Sequence, residues 1–164
     1  MQPAIPVKVK DELGLSEIGY GVMLGLSGVG ALVGAFTLFV FSNKIRKGYL
    51  LIFAMLVMNA STALFAVAPN VVMSGIAMTL QGLAFASWMI SVPVLLQTTA
   101  SEDMRGRVMS LYFMTVLTHQ LGWLIGGAGI EVFGIQTTLF IGITGSVIVS
   151  GTALIMTPAL RKAR

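Results

Sequence analysis

The amino-acid sequence predicts an all-α membrane protein, a helical bundle with about five complete transmembrane helices. Of its 164 residues, 56% are hydrophobic and only 10% are charged, and the mean hydropathy is +0.93. A soluble domain carries about 25% charged residues, and a soluble domain of about 150 residues leaves roughly 30% of its chain's surface in water. So large an apolar fraction therefore requires lipid as the solvent for part of the surface.

Five apolar runs are long enough to cross a bilayer, for which a helix needs about 20 residues. None of them contains Asp, Glu, Lys or Arg, and they are Tyr20–Phe41, Tyr49–Ala68, Val71–Gln97, Val108–Ile130 and Thr137–Met156. The connections between them are short, namely basic Ser42–Gly48, the turn Pro69–Asn70, charged Thr98–Arg107, and Glu131–Gln136 with Gly134. Short connections force neighbouring spans to run antiparallel.

The basic residues predict which ends of the spans face the cytoplasm. Eight of the ten fall into three segments: Lys44, Arg46 and Lys47; Arg105 and Arg107; and Arg161, Lys162 and Arg164. Two spans separate each segment from the next, so all three lie on one side, which the positive-inside rule assigns to the cytoplasm. The predicted localisation is a bacterial cytoplasmic membrane with the C-terminus in the cytoplasm, and Pro69–Asn70 and Glu131–Gln136 are then outside.

Residues 1–19 are predicted to hold the end of a preceding helix and an outside loop. The five-span bundle follows over residues 20–157, and residues 158–164 form a basic cytoplasmic tail. Met1–Val9 has the character of a last helical turn, and the loop after it offsets Lys8 and Lys10 with three carboxylates. A chain that begins outside the membrane is predicted to be a C-terminal fragment, with Met1 either an internal start or a fragment boundary.

Several chemistries are excluded by composition. The chain has no cysteine, which removes disulfides, thiolate chemistry and cysteine-based metal sites, and His119 is its single histidine. The net charge of +4 does not indicate nucleic acid, because the cations stand at the ends of apolar runs and not on one polar face. With no nucleotide-binding loop and no nucleophile constellation, we expect no enzyme activity, no metal and no cofactor.

Glycine pairs predict where the spans touch, because helices in lipid associate through small residues that allow close backbone approach. The first span carries Gly21-x-x-x-Gly25 and Gly30-x-x-x-Gly34, the fourth carries Gly122-x-x-x-Gly126, and the fifth carries Gly142 and Gly145. Two interpretations stay open. The faces are either permanent tight contacts or surfaces that slide during a conformational cycle.

Two loops and one lead-in resemble a known transporter family. The segment Ser101-Glu-Asp-Met-Arg-Gly-Arg-Val-Met-Ser-Leu111 resembles the Arg-Gly-Arg-Val-Met-Ser segment after the tenth span of major facilitator superfamily proteins of the macrolide-efflux and enterobactin-exporter type. Gly34 through Gly48 resembles the superfamily's cytoplasmic signature after the eighth span, with Asn43 where an Asp is usual. Leu13 through Gly21 is similar to the outside lead-in to that span.

The resemblance implies a fold and a function. The five spans would be helices eight to twelve, which form the C-terminal helical bundle of a major facilitator fold. The intact protein would be a secondary active transporter that exports small amphipathic molecules such as drugs or siderophores, is expected to be proton-coupled, and works by alternating access. The expected partners are the lipid bilayer, the missing N-terminal half, the amphipathic substrate and protons, with no nucleic acid.

The same resemblance implies a cytoplasmic gate formed by residues of the two basic loops. Its candidates are Asn43, Lys44, Arg46, Lys47, Arg105, Gly106 and Arg107. The plainer interpretation is that these cations only set the topology. In the second loop Ser101 is predicted to cap the fourth span, with Glu102 and Asp103 favourably placed in its first turn.

Polar side chains at membrane depth are the candidate substrate-binding residues. They are Asn59, Gln81, Trp88 and His119. An ionisable group inside a span is a functional hypothesis by default, and histidine titrates in the range that suits a proton step. The structural alternative is hydrogen bonding between helices. Because no span contains Asp or Glu, the carboxylates of a proton-coupled protein would belong to the missing half.

Two other classes of protein compete with a transporter. One is a non-transporting membrane protein, either a truncated product or a helical assembly partner that associates through its glycine faces. The other is a membrane-embedded enzyme, which would need paired carboxylates or histidine clusters at depth. The five spans contain neither.

Overall fold

The computed structural model describes residues 2–41 and 47–156, and these residues are almost wholly helical. A π-helical turn, Lys8–Glu12, continues the first short helix, and a 3-10 turn, Glu102–Met104, precedes the fifth. The α-helices are α1 Ala4–Val7, α2 Glu17–Phe41, α3 Lys47–Val67, α4 Val71–Thr99, α5 Arg105–Phe133 and α6 Ile135–Met156. The predicted all-α membrane fold is confirmed.

The long helices α2 to α6 are the five predicted spans, and every helix end lies within three residues of its predicted position. Each is long and apolar enough to cross a membrane. The observed helices extend past the apolar runs at several ends, as α5 does by beginning at Arg105. The predicted spans end at the first charged residue. A helix can continue past that residue, because a long basic side chain can extend from the helix to the membrane surface.

Alternation of the helices gives the bundle two ends. The Asn70 end holds the short connections Ala68–Asn70 and Gly134, and the Arg105 end holds the connection Ala100–Met104. At the Asn70 end, the side-chain Oδ1 of Asn70 accepts a hydrogen bond of 2.9 Å from the Met73 N–H. Asn70 has extended backbone angles and is therefore the N-cap of α4, which satisfies one otherwise unpaired N–H group.

A single residue, Gly134, joins α5 to α6. Its φ is +79°, a conformation that costs an L-residue free energy because of its Cβ. Its N–H donates to Ile130 O at 3.0 Å, and its carbonyl accepts from Thr138 N at 3.2 Å, so the turn is fixed from both sides.

We expect Gly134→Ala to lower the free energy of unfolding by about 1–2 kcal/mol, because the backbone stays bonded in a strained region. The measurement is the thermal unfolding midpoint of the purified protein in detergent. Gly142→Ala is the matched control, since Gly142 is helical and a Cβ there would have no heavy atom within 4 Å. Equal midpoints for the two variants would contradict the strain argument.

Helix α4 is the centre of the bundle. Its most extensive contact is with α2, and its next is with α3, while α6 packs on α3 and α5. Since α2 and α4 both run from the Asn70 end to the Arg105 end, they form a parallel pair. By contrast, only 6% of the apolar stretch of α5 is buried, against 22% for α2, α3 and α4. Helix α5 therefore stands at the edge of the bundle.

Glycines make the α2–α4 contact close on both sides. A Cβ at Gly30 or Gly34 would overlap the backbone of Thr79 or Leu83, and a Cβ at Gly82 would overlap the backbone oxygen of Ser27. The predicted contact face around Gly30 and Gly34 is therefore confirmed. Its partner, Gly82 in α4, had no glycine spacing to indicate it.

The other predicted glycine contacts are mostly wrong within the described residues. A Cβ at Gly21, Gly25 or Gly122 would have nothing within 4 Å, and the same holds for Gly142 and Gly145. The reason for α2 is helical geometry. Gly21 lies nine residues before Gly30, which is about two and a half turns, so the two glycines point to opposite sides of the helix.

The core lies at the Asn70 end, where the N-terminal segment meets all five long helices. Its buried residues are Ala4, Ile5, Val9, Met23, Phe65, Ala66, Ala77, Met78, Ile130, Ile135 and Leu139. The short α1 and its π-helical continuation are thus integrated into the bundle. Within this segment Lys8 is 1% exposed.

Candidate functional site

The predicted gate lies partly outside the described residues. Asn43, Lys44 and Arg46 are not among them, and of Lys47 only the backbone, at the start of α3, is described. In the second loop, Arg105 Nη1 lies 3.8 Å from Glu102 Oε1, and these side chains are 51% and 90% exposed. An exposed ion pair of this kind contributes between about 0 and 1 kcal/mol.

Gly106 and Arg107 are exposed at the same place, and a Cβ at Gly106 would meet nothing within 4 Å. The loop therefore presents two guanidinium groups outward, Arg105 only loosely paired, at the start of α5. A protein surface or lipid phosphates would find both of them accessible.

The predicted Ser101 cap is wrong in its chemistry. The Ser101 side chain makes no capping hydrogen bond, and its backbone carbonyl instead accepts from the N–H groups of Met104 and Arg105 at 3.0 and 3.1 Å. A 3-10 turn intervenes between Ser101 and α5, so the hydroxyl is one turn too early to reach the free N–H groups of the α-helix.

Gln81 pairs across the α3–α4 contact with Ser61, which is fully buried. The Ser61 Oγ lies 2.5 Å from Gln81 Oε1 and 2.9 Å from Met58 O. A separation of 2.5 Å fits an O–H···O hydrogen bond and is too short for an N–H···O one, so the Ser61 hydroxyl donates to the Gln81 carbonyl oxygen. The Gln81 NH₂ group is then the part of the amide that can donate to a further acceptor.

Asn59 does not join Gln81. Its Nδ2 donates to Met55 O within α3 at 2.9 Å. Asn59 and Ser61 are two residues apart on one helix, which separates their directions by about 160°, and Ser61 faces α4. The structure therefore does not bring the predicted substrate-binding residues Asn59 and Gln81 together. Gln81 of α4 meets one side of α3, and Asn59 lies on the other side.

His119 lies on α5 and is exposed. Its ring contacts that of Trp123 edge to face, with centroids 5.4 Å apart. Tyr112 lies seven residues before His119, close to two helical turns, so these three side chains share one face of α5. The Tyr112 hydroxyl donates weakly to Met89 Sδ at 3.9 Å, which shows that this face points toward α4.

The same face of α5 is held at both ends and open between them. Near the Arg105 end Tyr112 is 8% exposed against α4, and near the Asn70 end Ile130 is 8% exposed in the core. Between them, Trp123 is 37% exposed, and Phe85 on α4, one turn from Met89 toward the Asn70 end, is 43% exposed. The two helices therefore do not bury these side chains against each other, and the space between the two contacts stays open to the outside.

We call this space the α4–α5 cleft, and it is lined by Phe85, Met89, Tyr112, His119 and Trp123. Trp88, a predicted substrate residue, borders it, because its ring centroid lies 6.3 Å from that of Phe85. Rings and one thioether make a cleft that is mainly apolar, with two hydrogen-bonding groups, the His119 imidazole and the Tyr112 hydroxyl. Such surroundings suit an amphipathic molecule.

Of these residues, only His119 and Trp88 are among the substrate-binding residues predicted from the sequence. The usable signal was spacing, since Tyr112, His119 and Trp123 follow one another at intervals of seven and four residues. A groove on α6 between Gln136 and Gly145 is the competing concavity. It is lined by one helix only, so its polar residues, Gln136, Thr137 and Thr144, do not converge from different elements as in a binding site.

Comparison with known proteins agrees with this architecture. A family model described as transmembrane secretion effector matches residues 3–163, which is nearly the whole chain. No curated protein matches the chain. Together with five helices apolar enough to span a membrane, the match shows an integral membrane protein of the transporter class. The chain thus belongs to the transmembrane secretion effector family of the major facilitator superfamily.

Proposed function

We propose that this chain is the C-terminal helical half of a secondary transporter that exports small amphipathic molecules, and that the α4–α5 cleft is one wall of its substrate pathway. The observation that carries the proposal is the open face of α5. His119 is an ionisable side chain at membrane depth, and such groups face a protein interior or a water-filled cavity and not lipid.

The lining supports an amphipathic substrate. Phe85, Tyr112 and Trp123 offer ring faces, and Met89 offers a flexible, polarisable side chain that adapts to different shapes. His119 can orient a polar group of the substrate by a hydrogen bond. The Gln81 NH₂ group is a further donor, one helix face away, since the Gln81 carbonyl oxygen accepts from Ser61.

The proposal includes a partner, the missing N-terminal half. A single wall cannot alternate access, because two halves must rock about a shared site. The weakly buried α5 offers the surface on which that half would close. In this arrangement the Arg105 end is cytoplasmic, in a bacterial cytoplasmic membrane, and the gate candidates Arg105, Gly106 and Arg107 face the other half.

Proton coupling is the finer part of the proposal, with His119 as the group on this half that exchanges the proton. All six carboxylates of the sequence lie near helix ends or in connections: Asp11, Glu12, Glu17, Glu102, Asp103 and Glu131. None is within the stretch that lines the cleft. Any carboxylate in the proton pathway would therefore come from the N-terminal half.

Binding to the cleft can be tested on the chain itself. Trp88 and Trp123 are its two tryptophans, so both report on the cleft or its border. The purified chain in lipid nanodiscs is titrated with a neutral fluorescent amphipathic dye, and energy transfer from tryptophan gives the dissociation constant. We expect His119→Phe to raise that constant about fivefold, because one hydrogen bond is worth about 1 kcal/mol.

The control for this titration is Thr144→Ala, which alters the α6 groove and leaves the cleft unchanged. Equal affinity of wild type and His119→Phe would remove His119 from the site. Loss of affinity in Thr144→Ala alone would move the site to α6. Absence of dye binding together with self-association of the chain would favour the non-transporting assembly protein.

Transport itself needs the half that would precede this chain. Everted membrane vesicles with a pH gradient would be loaded with the same dye, with this chain alone and with an N-terminal half joined to it. Gradient-dependent dye movement only in the joined protein is the expected result. Movement with this chain alone would mean that copies of it assemble a complete pathway.

A further inference from the structure

Lys8 is the one buried charged side chain among the described residues, at 1% exposure. Its Nζ donates to the backbone oxygen of Ala66 at 3.1 Å and lies 5.5 Å from the ring centroid of Phe65. Burying an ammonium group costs several kcal/mol unless partners compensate for the lost water. The burial of Lys8 therefore needs a structural explanation.

Two partners of Lys8, Ala66 and Phe65, belong to the last turn of α3. The final carbonyls of a helix have no intrahelical N–H to accept from, and they carry the negative end of the helix dipole. The ammonium group satisfies one of these carbonyls, Ala66 O, and the Phe65 ring adds a cation–π attraction. The contact therefore attaches the N-terminal segment to α3.

The opposite side of that segment contacts α5. Pro3 Cγ lies 3.3 Å from the place where a Cβ on Gly126 would stand. Ile5, which is 1% exposed, belongs with Ile130 of α5 to the same buried core cluster. Residues 3–12, here called the strap, thus bridge the end of α3 and the end of α5, which make no extensive contact with each other.

We infer that Lys8 is the clasp of this strap, and that the strap holds the Asn70 end of α5 against the bundle and so sets the opening of the α4–α5 cleft. Helix α5 has few other attachments. Near the Arg105 end it meets α4 through Tyr112, and at the Asn70 end it also packs on α6, where a Cβ on Gly129 would lie 3.0 Å from Thr138 Cγ2. Releasing Lys8 would free the strap and let α5 swing about the Tyr112 contact. The effect on substrate rests on the proposed function, whereas the clasp does not.

The absence of cysteine from the chain makes the test direct. The pair Pro3→Cys and Gly126→Cys is introduced, and the rate of oxidative cross-linking in lipid nanodiscs reports strap–α5 proximity. Pro3 Cγ lies 3.3 Å from the Gly126 Cβ position and is bonded to Pro3 Cβ, so the two Cβ positions are less than about 5 Å apart, close to the Cβ separation of a disulfide. We expect Lys8→Met to slow this cross-linking about fivefold or more. A change of about 1 kcal/mol in favour of the detached strap alters the ratio of attached to detached strap by that factor.

Lys10→Met is the matched control, because Lys10 is exposed on the same strap. Lys8→Arg keeps the charge and is expected to restore part of the rate. A second cysteine pair, Ser61→Cys and Gln81→Cys, reports the α3–α4 contact. Equal slowing by Lys8→Met and Lys10→Met would overturn the clasp, because Lys8 would then have no special role. Slowing of both cysteine pairs by Lys8→Met would also overturn it, because the substitution would then loosen the whole bundle.

The link to the cleft has its own readout. In a Trp88→Phe background Trp123 is the sole tryptophan, and its quenching by acrylamide reports how open the cleft is. We expect Lys8→Met to increase the quenching constant about twofold, as for a locally opened segment, and Lys10→Met to leave it unchanged. Slower strap cross-linking with unchanged Trp123 quenching would show that the strap does not control α5 and would overturn the inference.

Discussion

Replacing Gly82 with alanine is expected to lower the free energy of unfolding by about 1–3 kcal/mol, the range for overpacking a filled interface. The added methyl group would overlap the backbone oxygen of Ser27 on α2. A flexible side chain could turn away, but a backbone oxygen moves only with its helix. The parallel pair α2–α4 would have to separate along its length.

The cost should be large because the contact is reciprocal. Gly30 and Gly34 of α2 lie against the backbone of Thr79 and Leu83 of α4, with the Gly34 Cβ position 2.6 Å from the Leu83 oxygen. Separating the helices at Gly82 therefore loosens these contacts too, and in lipid no hydrophobic effect between helices compensates for lost packing. We expect Gly30→Ala to be of similar cost and the double variant to be less than additive, because both act on one interface.

The measurement is the loss of native fluorescence-detected size-exclusion signal on heating in detergent, compared with Gly25→Ala. Gly25 is also helical and lies on α2, but a Cβ there would have nothing within 4 Å. Alanine favours helix over glycine by about 1 kcal/mol, so this control should be neutral or stabilising. A Gly82→Ala protein as stable as Gly25→Ala would contradict the close α2–α4 contact.

The helices are predictable from the sequence to within three residues because two independent signals coincide. Each apolar run is bounded by charges or by a turn, and each boundary also has a local backbone cause. At the Asn70 end these causes are the Asn70 cap and the left-handed Gly134. Such signals are encoded within a few residues and need no knowledge of tertiary contacts.

The contacts between helices are only partly predictable, because the sequence does not say which face of a helix meets a neighbour. Gly30 and Gly34 pack, whereas Gly21 and Gly25, with the same spacing, remain open. The same uncertainty groups Asn59 of α3 with Gln81 of α4 in one predicted site. In the structure Ser61 is the α3 residue that contacts Gln81, whereas Asn59 bonds within its own helix.

Lys8 shows a different limit. In a stretch that also holds Lys10 and Asp11, a lysine is ordinarily a solvated residue. Its burial depends on a helix end, that of α3, nearly 60 residues away in the chain. The available signal was the helical spacing of Ala4, Ile5, Lys8 and Val9, which places the lysine on the apolar face of the segment. That Lys8 donates to a backbone carbonyl distant in the sequence could be known only from the fold.

The Ser61–Gln81 pair is expected to respond asymmetrically to substitution. In Gln81→Leu the Ser61 hydroxyl can donate to Met58 O, so no polar group loses all its partners and the cost should be below about 1 kcal/mol. In Ser61→Ala the Gln81 amide loses its partner across the helix contact, and leaving such a group unpaired costs about 1–3 kcal/mol. Adding Gln81→Leu to Ser61→Ala should therefore recover stability, an inversion that independent contributions would not produce.

A double-mutant cycle on thermal unfolding measures this coupling, and the Ser61–Asn59 cycle is its control. Asn59 bonds its own helix, so that cycle should give coupling near zero. The dye titration on the same variants then separates the two interpretations of Gln81. If Gln81→Leu binds dye as wild type does, the amide is a helix-to-helix contact and leaves the substrate site. If it loses affinity while keeping its stability, the Gln81 amide also contacts the substrate, and the cleft extends from α5 across α4 toward α3.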